Sequence, residues 1–167
     1  MFYDHFDTGV IGTLTLVADE AGLRHIDFAT AKHPTKMAPS WKKNPGFFKA
    51  AKAQLRAYFN GELRAFDLPL APTGTPFQQR VWQVLGTIPY GTLASYRWVA
   101  EKIGNPKAVR AVGGANARNP LPVVIPCHRV IGRNGALTGF GGGLEIKQRM
   151  IELEKATCGT NDNRMLL

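Results

Sequence analysis

Cysteine is nearly absent from this 167-residue chain; only Cys127 and Cys158 occur. A disulfide scaffold and a structural cysteine-rich zinc site each need more thiols, so both are excluded. Histidine is also scarce: His5, His25 and His33 are scattered without metal-ligand spacing, so no metal is expected. Long hydrophobic runs are missing as well. The longest, such as residues 121–126, fall far short of the roughly 20 residues a membrane span needs. The opening MFYDHFD is acidic and alternating, unlike a signal peptide, and no repeat is visible. The length suits one ordinary domain or two very small ones, and 44% hydrophobic residues suffice for a core. A cytoplasmic protein of the bacterial type is expected.

Acidic residues are few. The chain carries 21 Lys and Arg against 12 Asp and Glu, a formal charge of +9. The excess sits in the second half: residues 1–75 hold 9 basic and 7 acidic residues, and residues 76–167 hold 12 and 5. Between Arg80 and Arg133 there are eight basic residues and one acid, Glu101. That imbalance suits a polyanion, nucleic acid first, although a merely basic protein would show the same total.

The pattern predicts strands over Phe2 to Phe6, Gly12 to Val17 and Leu23 to Phe28, then a loop over 31–44. A helix follows Pro45, with Phe47, Phe48, Ala51, Leu55, Tyr58 and Phe59 on one face and Asn60-Gly61 ending it. Residues 62–74 read as a linker. Thr75-Pro76 opens a helix as N-cap and first-turn proline, with Phe77, Val81, Val84, Leu85 and Ile88 inward. Ser95 caps a short helix whose inner face is Tyr96, Val99, Ala100 and Ile103. After Gly104, Asn105 is expected to cap and Pro106 to open a helix running to about Ala117. Two short helices across a glycine-containing turn make a helix-turn-helix candidate. On the second of them Val109 and Val112 can face the core, while Lys107, Ala111, Gly114 and Arg118 share the opposite face, small and basic. Interior glycines cost about 1 kcal/mol each relative to Ala, so something should approach closely. A neighbouring helix and a DNA backbone both fit. The final helix is expected over about 143–155, with a loose polar tail beyond residue 157.

The chemistry centres on Cys127. Residues 121–126 read as a buried extended segment that delivers Cys127-His128-Arg129. The thiolate is the reactive form, and neighbouring cations are expected to lower the thiol's pKa. In an extended segment adjacent side chains point apart, so His128 would reach the thiol through a water. A base needs an orienting group. Counting 100° per residue from Ile146, the apolar sector of the last helix contains Glu154, whereas Glu145 and Glu152 face away. A carboxylate on a buried face needs a partner, and His128 is a candidate.

Several motifs carry a resemblance. PCHRV at 126–130 is preceded by Asn119-Pro120 and followed by Ile131-Gly132. GTPFQ at 74–78, IPYG at 88–91, Ser95-Tyr96, RAVG at 110–113, TGF at 138–140 and Leu153-Glu154 appear in order. Over about 90 residues the chain resembles the O6-alkylguanine-DNA alkyltransferases, and its first half is similar in outline. The resemblance implies an α+β fold. A small ribonuclease H-like domain with an antiparallel sheet, residues 1–74, would precede a mostly helical, winged-helix-like DNA-binding domain, residues 75–167.

It also implies direct repair of double-stranded DNA carrying O6-alkylguanine, and O4-alkylthymine as a further lesion. The alkyl group passes irreversibly, once per molecule, to Cys127 after nucleotide flipping, without cofactor or metal. His128 would act through water, Glu154 would orient it and Asn119 would brace the active-site segment. Tyr96 would donate to guanine N3. The Cys127 and Val130 carbonyls would read the exocyclic amine, and the Gly141 amide would lie near O6. Arg110 would take the place of the flipped base. Lys107 and Arg118 would touch phosphate, and the small face at Ala111 and Gly114 would enter the minor groove. The protein would act as a monomer, with coating of DNA by several copies left open.

The resemblance also puts Phe140 in the substrate pocket with Val130 and Gly141, and Asn116 on the DNA-binding helix. The chain departs from the family at three of these positions: Phe140 stands where several members have Tyr, Gly141 where some have Ser, and Asn116 where some carry a larger apolar wedge. A helix-turn-helix regulator would need no thiol, and a cysteine hydrolase would need no DNA; those remain the rival classes.

Overall fold

In this computed structural model the described residues are 1–132, 135, 140, 142–159 and 165–167. Strands β1 (Phe2–Asp7), β2 (Thr13–Asp19) and β3 (Gly22–Phe28) form an antiparallel meander. Alternation sets its register: Asp4 and Phe6 point inward along β1, and Phe6 stands opposite Leu14. The turn between β1 and β2 closes on Thr8 Oγ1, which donates to the Gly12 carbonyl at 2.8 Å and accepts from the Ile11 amide at 2.8 Å. At Gly22, φ is +138° and a Cβ would strike the Pro69 carbonyl, so only glycine starts β3.

The stretch 31–44 is not all loop. Lys42–Lys43 forms β4, which pairs parallel to β1 and extends the sheet to the order β3-β2-β1-β4. A 3-10 turn at Pro45–Phe48, capped by the Asn44 carboxamide, leads into α1 (Lys49–Phe59), whose Ala51, Leu55, Tyr58 and Phe59 are buried.

In the second half, α2 (Pro76–Leu85) starts with the Thr75–Gln78 capping box and proline in its first turn. Its Trp82 indole donates to the Ala115 carbonyl at 2.9 Å, tying α2 to a later helix of the same half. Strand β5 (Leu93–Ser95) runs into α3 (Tyr96–Lys102), where Ser95 Oγ accepts from the Trp98 amide. Helix α4 spans Val109–Ala117, later than the sequence suggests. The expected cap at Asn105 instead makes a separate turn: its carbonyl accepts from Ala108, and Lys107 falls before the helix. The α3–α4 connection is therefore six residues, and Val109 is exposed rather than in the core. Strand β6 (Val130–Ile131) and helix α5 (Leu144–Cys158) follow, then β7 (Met165–Leu166). The tail expected to be loose thus ends in a strand; β6-β5-β7 is a parallel sheet, with β7 on the edge of β5 opposite β6.

The two halves share one core. Ile26 donates to the Pro120 carbonyl at 2.8 Å, and the Phe28 and Phe140 rings lie 5.5 Å apart. Tyr58 of α1 reaches Glu154 of α5. No described helix is long and apolar enough to cross a membrane.

Candidate active site

The segment before Cys127 is coiled, not extended as the apolar run suggests. The Ile125 amide bonds to the Leu121 carbonyl, and the Cys127 amide to the Ile125 carbonyl, each at 2.8 Å. Asn119 braces both ends: Oδ1 accepts from the Leu121 amide at 2.9 Å, and Nδ2 donates to the Ile125 carbonyl at 2.8 Å. Val123 is held at φ 75°, a conformation that β-branched residues avoid and that costs about 1–3 kcal/mol, so it persists only where its surroundings impose it. These bonds do so. Cys127–Arg129 then forms one 3-10 turn. Cys127 borders a cavity of about 630 Å³, while His128 and Arg129 meet α5.

Glu154 collects donors from four residues on three elements: the Cys127–Arg129 turn, α1 and the turn at Gly91. His128 Nε2 lies 2.5 Å from Oε2, and the Tyr58 hydroxyl donates to the same oxygen at 2.5 Å. Arg129 Nε and Nη2 donate to Oε1 and Oε2 at 2.8 and 3.1 Å, and the Gly91 amide donates to Oε1 at 3.1 Å. The side chains are all buried, Glu154 at 2% exposure and His128 at 0%. Burial alone would raise the Glu154 carboxyl, but the charges and hydrogen bonds of His128 and Arg129 hold it well below the usual carboxylate range. Burial lowers His128 against the opposing pull of Glu154. Burial thus favours the neutral form of the imidazole, while Glu154 favours the charged one. In the neutral form, facing a carboxylate, Nε2 carries the hydrogen, which leaves the Nδ1 lone pair free to accept a proton. Nδ1 has no hydrogen-bond partner among the described residues.

The thiol differs from expectation. Burial pushes Cys127 up to about 11, with Asn119 and Lys147 pulling the other way. The neighbouring cations do not produce a resting thiolate, so a base must act as the thiol reacts. Lys147 is the unforeseen member. It is 0% exposed, its Nζ lies 5.9 Å from the Tyr96 ring centroid, and burial lowers it to about 8. The helical count that brings Glu154 inward puts Lys147 at about 100°, inside the same sector; that signal was available in the sequence. Arg129 and Tyr58 also escape the sequence reading. Arg129 was visible in PCHRV, but nothing local marks Tyr58 as a partner of a residue 96 positions later.

The remaining candidates divide. Tyr96 is half-buried beside Lys147 and Gly113, Val130 is fully buried in β6, and Phe140 borders the cavity. Arg110, Ala111, Gly114, Arg118 and Lys107 are exposed, and a Cβ on Gly114 would meet nothing within 4 Å. No neighbouring helix demands glycine there. Asn116, the DNA-binding candidate at the family's wedge position, is buried at 1%; its Nδ2 lies 3.4 Å from the Cys127 carbonyl, because α4 turns this position toward the cavity. Gly141 lies outside the described residues.

Comparison with known proteins matches residues 1–72 to the ribonuclease-like domain of 6-O-methylguanine DNA methyltransferase and residues 76–156 to its DNA binding domain. The methylated-DNA–protein-cysteine methyltransferase of Methanosarcina acetivorans is 50% identical over 92% of this chain and 98% of its own. Its Haemophilus influenzae counterpart is 44% identical over 93% and 87%. The crystal structure of Mycobacterium tuberculosis OGT in complex with DNA superimposes with a TM-score of 0.87 at 46% identity, covering 94% of each chain.

Proposed function

This chain belongs to the 6-O-methylguanine DNA methyltransferase family, whose members repair DNA by direct transfer of an alkyl group to a cysteine, and we propose that its acceptor is Cys127 Sγ. The observation that carries the assignment is the meeting of three features at one point. A buried thiol borders a large cavity, the adjacent imidazole has a free Nδ1, and a carboxylate fixes that imidazole's tautomer.

The damaged guanine flips into the cavity, since its O6 substituent is out of reach within the stack. A water carries the thiol proton to His128 Nδ1. Sγ forms a bond to the alkyl carbon as the carbon–O6 bond breaks, and the electron pair stays with the purine. The Tyr96 hydroxyl donates at N3, and the proton given up by the thiol returns to the purine by way of His128. The products are a neutral thioether and guanine. Glu154 positions His128, and Asn119 holds the turn that presents the thiol. The Cys127 and Val130 carbonyls face the exocyclic amine, while Phe140 borders the O6 side. Arg110 fills the gap in the stack, and Ala111 and Gly114 leave room for the minor groove, where small residues and Arg suit close approach. Lys107 and Arg118 contact phosphate; Asn116 lines the base cavity instead. Residues 1–74 form the scaffold and residues 75–167 carry the site. The protein works as a monomer in the cytoplasm.

Denatured-protein mass after incubation with O6-methylguanine duplex tests the assignment. One methyl is expected on the peptide containing Cys127, and none on Cys127→Ser protein, which should still bind DNA. Methylation of Cys158, or none in the wild type, would refute it.

A further inference from the structure

The near-neutral total of the first half hides a second basic surface. From Phe28 to Gly61 there are seven Lys and Arg and no acid. Two of the seven, Lys43 and Lys52, pair with Asp4. Lys32 is exposed and lines the cavity that Cys127 borders, as does His33. The one acid on this wall, Asp27, is engaged elsewhere: its carboxylate accepts from the Thr35 amide at 2.6 Å and the Thr35 hydroxyl at 3.1 Å. At the other end the Thr30 hydroxyl donates to the Gly142 carbonyl at 3.0 Å, and the Ala31 amide bonds back to the Phe28 carbonyl. Residues 30–35 are thus a lip pinned at both ends, with its cation at the rim. Across the cavity stand the end of α4 and the exposed Arg118.

A nucleotide that delivers its base to Cys127 leaves its sugar and phosphates at the mouth, between these walls. Lys and Arg side chains are the usual groups that position a phosphate backbone, and a pinned loop loses less freedom on binding than a mobile one. We propose that the lip of residues 30–35 is a second jaw of the DNA cleft, with Lys32 holding a phosphodiester of the damaged strand next to the flipped nucleotide. The inference rests on the reading of the Cys127 cavity as the transfer site and adds the N-terminal half to the DNA-contacting surface.

The test measures how strongly Cys127→Ser protein binds lesion-containing duplex as salt is varied, with and without Lys32→Met. Losing one phosphate contact lowers the log–log salt slope by about 0.9, so the affinity gap should narrow about threefold between about 50 and 200 mM salt. Lys32→Arg should keep the wild-type slope. In otherwise wild-type protein, Lys32→Met should slow alkylation from subsaturating duplex several-fold more than alkylation from free O6-benzylguanine base. An unchanged slope, or equal losses on duplex and free base, would overturn the proposal. Wild-type protein that gains no alkyl mass from duplex would instead overturn the reading of the site.

Discussion

Glu154→Gln tests both the scaffold and the chemistry. The carboxylate accepts from His128, Tyr58, Arg129 and the Gly91 amide, at 2.5 to 3.1 Å, in a site closed to solvent. Glutamine keeps one acceptor oxygen and places an NH₂ among donors, and the Arg129 guanidinium loses its counter-charge at 7% exposure. Breaking a buried ion pair by removing one partner costs about 3–5 kcal/mol. That is a large part of the roughly 5–15 kcal/mol that holds a domain folded. For a chain of this size it lowers Tm by about 6–20 °C.

The pH dependence has a definite sign. Because the folded-state pKa of Glu154 is held down, its stabilisation is present above the ordinary carboxyl value of 4.5 and is lost as pH falls through the folded value. The gap between wild type and variant is therefore widest at neutral pH and closes in acid. Alkylation of Cys127 by O6-benzylguanine, measured where both proteins are folded, should slow at least tenfold, within the roughly 10²–10⁴ that a positioned base supplies. Glu152→Gln is the control; that carboxylate accepts from Gln148 at an exposed site, and the variant should stay within about 0.5 kcal/mol of wild type. Urea unfolding at pH 7 and pH 4, with single-turnover rates, decides the matter. If Glu154→Gln matched Glu152→Gln in midpoint and rate, the hub would have neither role.

Tyr58→Phe removes one charge-assisted hydrogen bond while the other donors hold the carboxylate, so a loss of about 1.5–3 kcal/mol is expected by urea unfolding; no change would mean the hydroxyl is dispensable. Lys147→Met should raise stability at pH 7. Burial lowers this ammonium to about 8 from 10.5, so the charge penalises folding below about 8 and the penalty fades toward 10.5; unfolding across that range should show the variant's advantage shrinking as pH rises. Arg110→Ala should impair repair of duplex far more than reaction with free O6-benzylguanine, which has no stack to leave. A duplex defect fully restored by high protein concentration, with a lower salt slope, would make Arg110 a phosphate contact instead. With lesion in excess, repaired guanine should level off at one per protein molecule, and continued turnover would refute a thioether end point.

Local signals carried much of this protein. Alternation marked β1 to β3, and the Thr75-Pro76 and Ser95 caps marked α2 and α3, because those features depend on neighbours a few residues away. The helical count on α5 placed Glu154 inward, and the ordered motifs around PCHRV pointed to alkyl transfer. Composition alone excluded disulfide scaffolds and membrane-spanning helices. Other features are consequences of packing. Residues 121–126 have the composition of a strand, yet Asn119 and the turn hydrogen bonds coil them, since side chain–backbone bonds outweigh weak β-propensity. Strands β4 and β7 have two residues each and exist only because an unpaired sheet edge lies beside them. The rise of the Cys127 thiol follows from how completely it is buried, and no count of neighbouring cations foretells that. Tyr58 meets Glu154, and Lys32 meets the cavity, only because α1 and the segment around β3 pack against the second half of the chain. Contacts between residues so far apart in sequence leave no periodic trace in either segment, so tertiary structure alone decides them.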